Sequence, residues 1–224
     1  MIRRDYILRE LERFAAMLAR ITGLASNGEW PEANAVTAAE FQALTGLDAA
    51  ALLRLSSSAV LARLIESPAT IPVEFKLCVA ITLLKTQGDL LAGQGQVDES
   101  REFYLKGLQL LFENSGGRVV EERPDFVPTV ESFVLALRDA SLPPAMNAML
   151  MRHYEQTGEL ARAEDALFEI VEAEPENREV LEFGCLFYQR LLGLNDAALV
   201  SGNLPRAELQ AGLNELAERK ARLG

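Results

Sequence analysis

Apolar side chains recur at steps of three and four residues along most of this chain, the spacing that keeps them on one stripe of an α-helix. Ile7, Leu8, Leu11, Phe14, Leu18, Ile21 and Leu24 predict a long first helix from near Arg3. Asn27 and Gly28 end it, because glycine accepts the left-handed backbone that closes a helix, and Pro31 suits the first turn of the next. The second helix directs Ala33, Val36, Phe41 and Leu44 inward and stops near Gly46. Between Asp48 and Pro72 the signals shorten: Asp48 caps a segment with Leu52 and Leu53, and Ser57 or Ser58 caps another with Val60, Leu61, Leu64 and Ile65. A strong pattern resumes at Val73 and runs to Leu91, and its partner helix covers about Val97 to Phe112.

A helix with Val130, Phe133, Val134 and Leu137 follows, and Pro143 and Pro144 then open a third pair, Ala145 to Gln156 and Leu160 to Ala173. The last pair is one long helix from Arg178 to about Leu199 and a second from Pro205 to about Arg222. No segment alternates apolar and polar residues for long enough to make a strand. The expected fold class is therefore all-α, with about ten to eleven helices. Glu113 to Pro128 holds Gly116, Gly117, Glu121, Glu122, Pro124 and Pro128 without a sustained period, so it reads as a connecting loop. Residues 1–224 are expected to form a single helical-repeat domain, divisible into sub-halves 1–115 and 127–224 joined by loop 113–128.

Four short turns share one pattern. Residues 28–33, 95–100, 158–163 and 202–207 each read glycine, any residue, an apolar residue, two further residues, then alanine or serine. Gly28, Gly95, Gly158 and Gly202 are the predicted turn glycines, and Ala33, Ser100, Ala163 and Ala207 the small residues at which paired helices cross.

The third pair resembles a tetratricopeptide repeat: Leu150, Tyr154, Gly158, Leu160, Ala163, Leu167 and Pro175 stand at that repeat's characteristic positions. Gly88, Leu91, Ser100 and Tyr104 give the second pair a partial match. The first and fourth pairs depart from the pattern, with Thr37 and Ala211 where a bulky residue belongs, so Phe41 and Leu213 are expected to pack in their place. Successive turn glycines lie 67, 63 and 44 residues apart, against about 34 in the tandem repeat. The resemblance therefore implies an irregular tetratricopeptide-like array of antiparallel hairpins, an α-α superhelix with inserted helices. The opening from Arg3 to Glu12, followed by Ile21, Thr22, Gly23 and Leu24, also resembles a bacterial family of unknown function that begins RDYI(L/M)R-x-(I/L)E. That second resemblance brings no activity with it.

Stacking of this kind implies a concave groove lined from the first helix of each pair. Its residues would be Thr82, Lys85, Asp89 and Ala92; Ala145, Ala148, Arg152, Glu155 and Gln156; and Gln189, Leu192 and Asp196. Lys85 and Arg152 are the candidate contacts for an anionic segment, since ammonium and guanidinium groups make charge-assisted hydrogen bonds to carboxylates. The plainer reading pairs them internally with Asp89 and Glu155.

Composition narrows the chemistry. Twenty-two Lys and Arg against 33 Asp and Glu give a net charge of −11, which repels polyphosphates and argues against nucleic acid as a partner. Cys78 and Cys185 sit far apart in apolar runs and read as core residues rather than a disulfide. No apolar run approaches the length of a membrane span, and a cytoplasmic location is expected. His153 is the only histidine, so a multi-histidine metal site is excluded, and no phosphate-binding loop or dinucleotide fingerprint is present. Glu121 with Glu122, and Glu172 with Glu174, read as solvated carboxylates rather than an acid–base pair. No cofactor is expected.

Within the first helix Arg3, Arg4, Arg9, Arg13 and Arg20 outnumber Asp5, Glu10 and Glu12 by two. A basic amphipathic helix of this kind could lie on a membrane surface. Burial within its own array, or packing on the same helix of a homodimer partner, is the competing use of its apolar stripe. Taken together, the expected function is a non-catalytic protein–protein interaction scaffold for an unnamed protein or peptide. The alternatives are a small-molecule sensor or enzyme with a pocket between hairpins, and a self-associating structural protein.

Overall fold

The computed structural model describes residues 2–67, 71–114 and 124–223, with side chains described from residue 8 and, before the second break, up to residue 113. Among the described residues there are twelve helices and no strand. They are α1 (Ile2–Ser26), α2 (Trp30–Thr45), α3 (Ala49–Leu53), α4 (Ser57–Glu66), α5 (Val73–Gly93), α6 (Val97–Asn114), α7 (Val130–Ala136), α8 (Pro144–Thr157), α9 (Leu160–Ala173), α10 (Arg178–Leu192), α11 (Asp196–Ser201) and α12 (Arg206–Arg222).

Five of the described helices start at a side-chain cap. The Asp48 carboxylate accepts from Ala51 N–H at 2.7 Å to cap α3, and Thr129 and Asn177 cap α7 and α10 in the same way. At α4 the cap is Ser56 rather than Ser57 or Ser58, its hydroxyl accepting from Ala59 N–H at 3.2 Å. The first three turn glycines adopt left-handed backbone, with φ of +78° at Gly28, +78° at Gly95 and +81° at Gly158. Gly202 does not: its φ is −80°, and Asn203 takes the positive value of 56° instead.

The extra helix comes from a break that periodicity does not show. The expected long helix to Leu199 stops at Leu192, and Asn195 caps the short α11 by accepting from Ala198 N–H at 2.9 Å. Arg206 holds the break in place. Its guanidinium donates to the carbonyls of Leu192 and Leu194 at 2.8 and 2.7 Å and pairs with Asp196 at 2.7 Å.

Two compact units result, Met1–Ala140 and Ser141–Gly224. Of the expected loop 113–128, residues 115–123 lie outside the described residues. The part that is described belongs to the first unit: Phe126 packs edge-on against Phe14 at 5.0 Å and Phe75 at 6.0 Å, and Val127 is buried.

In the first unit α1 packs on α2, α2 on α5, and α5 on α6, with α7 against α6. Ile21, Ala33 and Leu90 form one buried cluster beneath Trp30, Met17 and Leu24. Close contacts rest on missing side chains: the Tyr104 ring lies over Gly88, Trp30 over Gly93 and Phe133 over Gly107. The short α3 and α4 are tied down by two buried lysines. Lys76 donates to the Leu64 and Ser67 carbonyls at 3.0 and 2.9 Å, and Lys106 to the Leu55 carbonyl. Ammonium groups at helix C-termini satisfy carbonyls that have no partner within the helix.

In the second unit α8 packs on α9 and α10 on α12. Ala163 is fully buried at the first of these pairs. Ala207, expected to be the crossing residue of the last pair, is exposed. The close contacts there are instead Tyr188 over Gly212 and Leu216 over Gly184, because α12 starts only at Arg206 and turns its Leu209, Gly212 and Leu216 stripe to α10. Leu213, expected to compensate for Ala211, is only half-buried, whereas in the first unit Thr37 and Phe41 are both fully buried.

Candidate functional site

The groove residues fall into separate settings. Lys85 pairs with Asp89 at 2.6 Å one turn along α5, and its ammonium stands 5.1 Å from the centre of the Tyr104 ring. The Tyr104 hydroxyl donates to the same Asp89 carboxylate at 2.9 Å. Burial, with the neighbouring Asp89 charge, raises the Tyr104 phenol well above its ordinary range, so it stays a donor. Thr82 is buried, its hydroxyl donating to the Cys78 carbonyl at 2.8 Å, and so it lines no groove.

On α8 Arg152 is exposed, and Glu155 does not pair with it. Glu155 instead receives both Nε and Nη2 of Arg190 from α10, at 3.1 and 2.9 Å. Gln156 and Gln189 are exposed. Asp196 begins α11 rather than continuing α10, and its carboxylate is taken by Arg206. Beside these residues, Arg162 lies over the Tyr154 ring at 4.0 Å and pairs with Glu159 at 2.7 Å. Hydrogen bonding from Arg162 holds the Glu159 carboxyl below its usual value.

One concave surface gathers Asp89, Ala92, Ser100 and Tyr104, all marked by the sequence, with Val97, Arg101, Leu135, Arg138 and Asp139, which were not. A cleft of about 340 Å³ lies between α5, α6 and the end of α7, lined by Asp89, Ala92, Val97, Ser100, Arg101, Tyr104, Leu135, Ala136, Arg138, Asp139 and Ala140. Val97 is 52% exposed and Leu135 63% exposed, two large apolar side chains in one concave surface. Arg101 reaches across to the Asp139 carbonyl at 3.2 Å while pairing with Asp98 at 3.4 Å. Arg138 pairs with Asp139 at 3.4 Å, with both side chains largely in solvent. The available sequence signal was Leu135, an apolar residue off the stripe made by Val130, Phe133 and Leu137. Ser100 is buried at this cleft's base, its hydroxyl donating to the Val97 carbonyl at 2.7 Å.

Among the described residues no group of three or more His, Cys, Asp or Glu side chains could hold a metal ion, and no helix is long and apolar enough to cross a membrane. His153 is half-buried with its ring 5.4 Å from that of Tyr154.

Fold and surface together define a protein whose described residues are helical and without strand, with a cleft of mixed apolar and charged lining in its first unit. Residues 1–221 match a family described as "Family of unknown function (DUF6483)", and the chain belongs to that family. No curated protein and no solved structure matches the chain.

Proposed function

We propose that this protein is a non-catalytic, cytoplasmic interaction module of tetratricopeptide-like type that binds a segment of a partner protein in the cleft between α5, α6 and α7. The supporting observation is the exposure of Val97 and Leu135 in the lining of that cleft, whose buried members are Ser100 and Tyr104. Two large apolar side chains facing water in a concave surface lose unfavourable hydration when a partner side chain enters. The rim carries Arg101 and Arg138 together with Asp89 and Asp139, so the fitting segment has an apolar anchor flanked by charges of both signs. The tetratricopeptide-like character rests on Tyr104 over Gly88, on the buried small residues Ala33, Ser100 and Ala163, and on the left-handed glycines at three turns.

Cross-linking and capture with the full chain test this reading. Val97→Asp with Leu135→Asp is expected to abolish capture of a partner that the wild type retains, while Arg152→Glu leaves it unchanged. Retention by the double variant, with loss in Arg152→Glu, would move the site to α8 and overturn the cleft assignment.

A further inference from the structure

A second concavity, unrelated to the cleft, lies between α1, α2 and α5 and has a volume of about 110 Å³. Its interior is apolar, walled by Phe14, Leu44, Phe75 and Val79. Three charged side chains from two helices also line it. Arg13 donates through Nε to Glu10 Oε2 at 3.1 Å and through Nη1 to Glu40 Oε1 at 3.0 Å. Glu40 and Glu10 are the more enclosed members, with side chains 19% and 27% exposed against 55% for Arg13. Among the described residues Glu10 Oε1 and Glu40 Oε2 accept no hydrogen bond.

One guanidinium therefore faces two carboxylates, which leaves a net charge of −1 at the head of an apolar hollow. We propose that this concavity is a binding site for a small primary alkylammonium ion, its ammonium on the free oxygens of Glu10 and Glu40 and its alkyl chain against Phe14, Phe75 and Val79. An ammonium carries three N–H donors and can serve both carboxylates at once. Phe75, which is partly exposed, presents aromatic surface, and this favours a cation-bearing body over an anionic one. An anion would meet two carboxylates whose only guanidinium is already engaged.

Size limits the ligand. The six carbons of benzene occupy a cavity of roughly 150 Å³, so a hollow of about 110 Å³ takes about four or five heavy atoms. Butylammonium fits that limit. The site does not depend on the partner-binding reading: the two concavities have no lining residue in common, and Val79 of this one stands about 15 Å along α5 from Asp89 of the cleft.

Isothermal titration of the full chain with butylammonium chloride tests the proposal, with 1-butanol and propionate as neutral and anionic matches of equal size. Saturable binding of butylammonium alone is expected, weakening as salt is added. Glu40→Gln should lower the affinity by roughly tenfold or more, the loss expected for one charge-assisted hydrogen bond, and Glu10→Gln provides the same test should Glu40→Gln fail to fold. Arg13→Gln should tighten binding, because it removes the competing cation; a merely structural role for Arg13 predicts weakening. Equal response to 1-butanol, no saturable heat with butylammonium, or weaker binding in Arg13→Gln would overturn the assignment. The Val97 and Leu135 variants should leave butylammonium binding unchanged.

Discussion

At the residue scale the informative positions are those where a side chain would collide. Gly202 has ordinary backbone angles, yet a Cβ there would stand 2.5 Å from Leu160 Cγ and 2.8 Å from the Gly158 carbonyl oxygen. Its own carbonyl accepts from Ala161 N–H at 3.0 Å. The third and fourth turns thus touch through backbone, which cannot give way as a side chain can. Gly202→Ala should destabilise the protein by about 1–3 kcal/mol, measured by urea unfolding. A change below about 0.5 kcal/mol, the size of an ordinary surface substitution, would show that the turns can separate without cost.

A second residue-scale prediction concerns Glu164, which accepts from the Tyr188 hydroxyl at 2.6 Å. Burial raises its carboxyl above the usual value; the Tyr188 hydrogen bond opposes this, and the charges of Glu208 and Asp165 add to it. A carboxyl raised in the folded state supports folding most at acid pH, and that support fades as pH rises through its folded value. Glu164→Gln keeps an acceptor for Tyr188 and removes the charge. The variant is expected to melt above the wild type near neutral pH, with the gap closing as pH falls below the ordinary glutamate range, where the wild-type carboxyl is neutral in both folded and unfolded chains. A gap that is constant with pH would assign the effect to packing.

At the element scale the break between α10 and α11 shows how one side chain ends a helix that its own pattern would continue. The apolar stripe runs on through Leu191 and Leu199, both buried. What stops the helix is Asn195, which caps the next one, and Arg206, which satisfies two carbonyls that would otherwise have no partner at the end of α10. Hydrogen bonds from a charged donor contribute about 1.5–3 kcal/mol. Arg206→Ala should therefore speed amide exchange across residues 193–201 while the buried amides of α9 keep their protection. Uniformly faster exchange throughout the second unit would mean that the latch supports the whole unit rather than α11.

At the scale of the molecule the contacts divide at Ala140 and Ser141. Each unit has its own core: Leu83, Leu84, Leu108 and Phe133 in the first, and Leu167, Val171, Leu181, Phe187 and Tyr188 in the second, all at most 2% exposed. Burial of a large apolar side chain contributes roughly 1.5–3 kcal/mol, and each unit gathers its own set of such residues. A fragment of residues 141–224 is expected to be helical by circular dichroism and to unfold in one cooperative thermal transition. A fragment without a cooperative transition would show that the second core depends on the first unit.

The chain's own pattern determined the all-helical class, most helix positions and three of the four left-handed turns, because a repeat of 3.6 residues and a glycine at a turn are local requirements. It also marked Ala33, Ser100 and Ala163 as small residues, and all three are buried. Local pattern could not show that Gly202 serves a close approach while Asn203 makes the turn, or that Arg206 would end α10, because each depends on groups brought in from elsewhere in the fold. The same holds for both concavities. Leu135 could be seen to lie off its helix's apolar stripe, but that it stands beside Val97 and Arg101, and that Glu10 and Glu40 share one guanidinium, follows from how the helices pack. Tertiary structure decided those neighbours, since a side chain's spacing along a helix sets the face it occupies and not what that face meets.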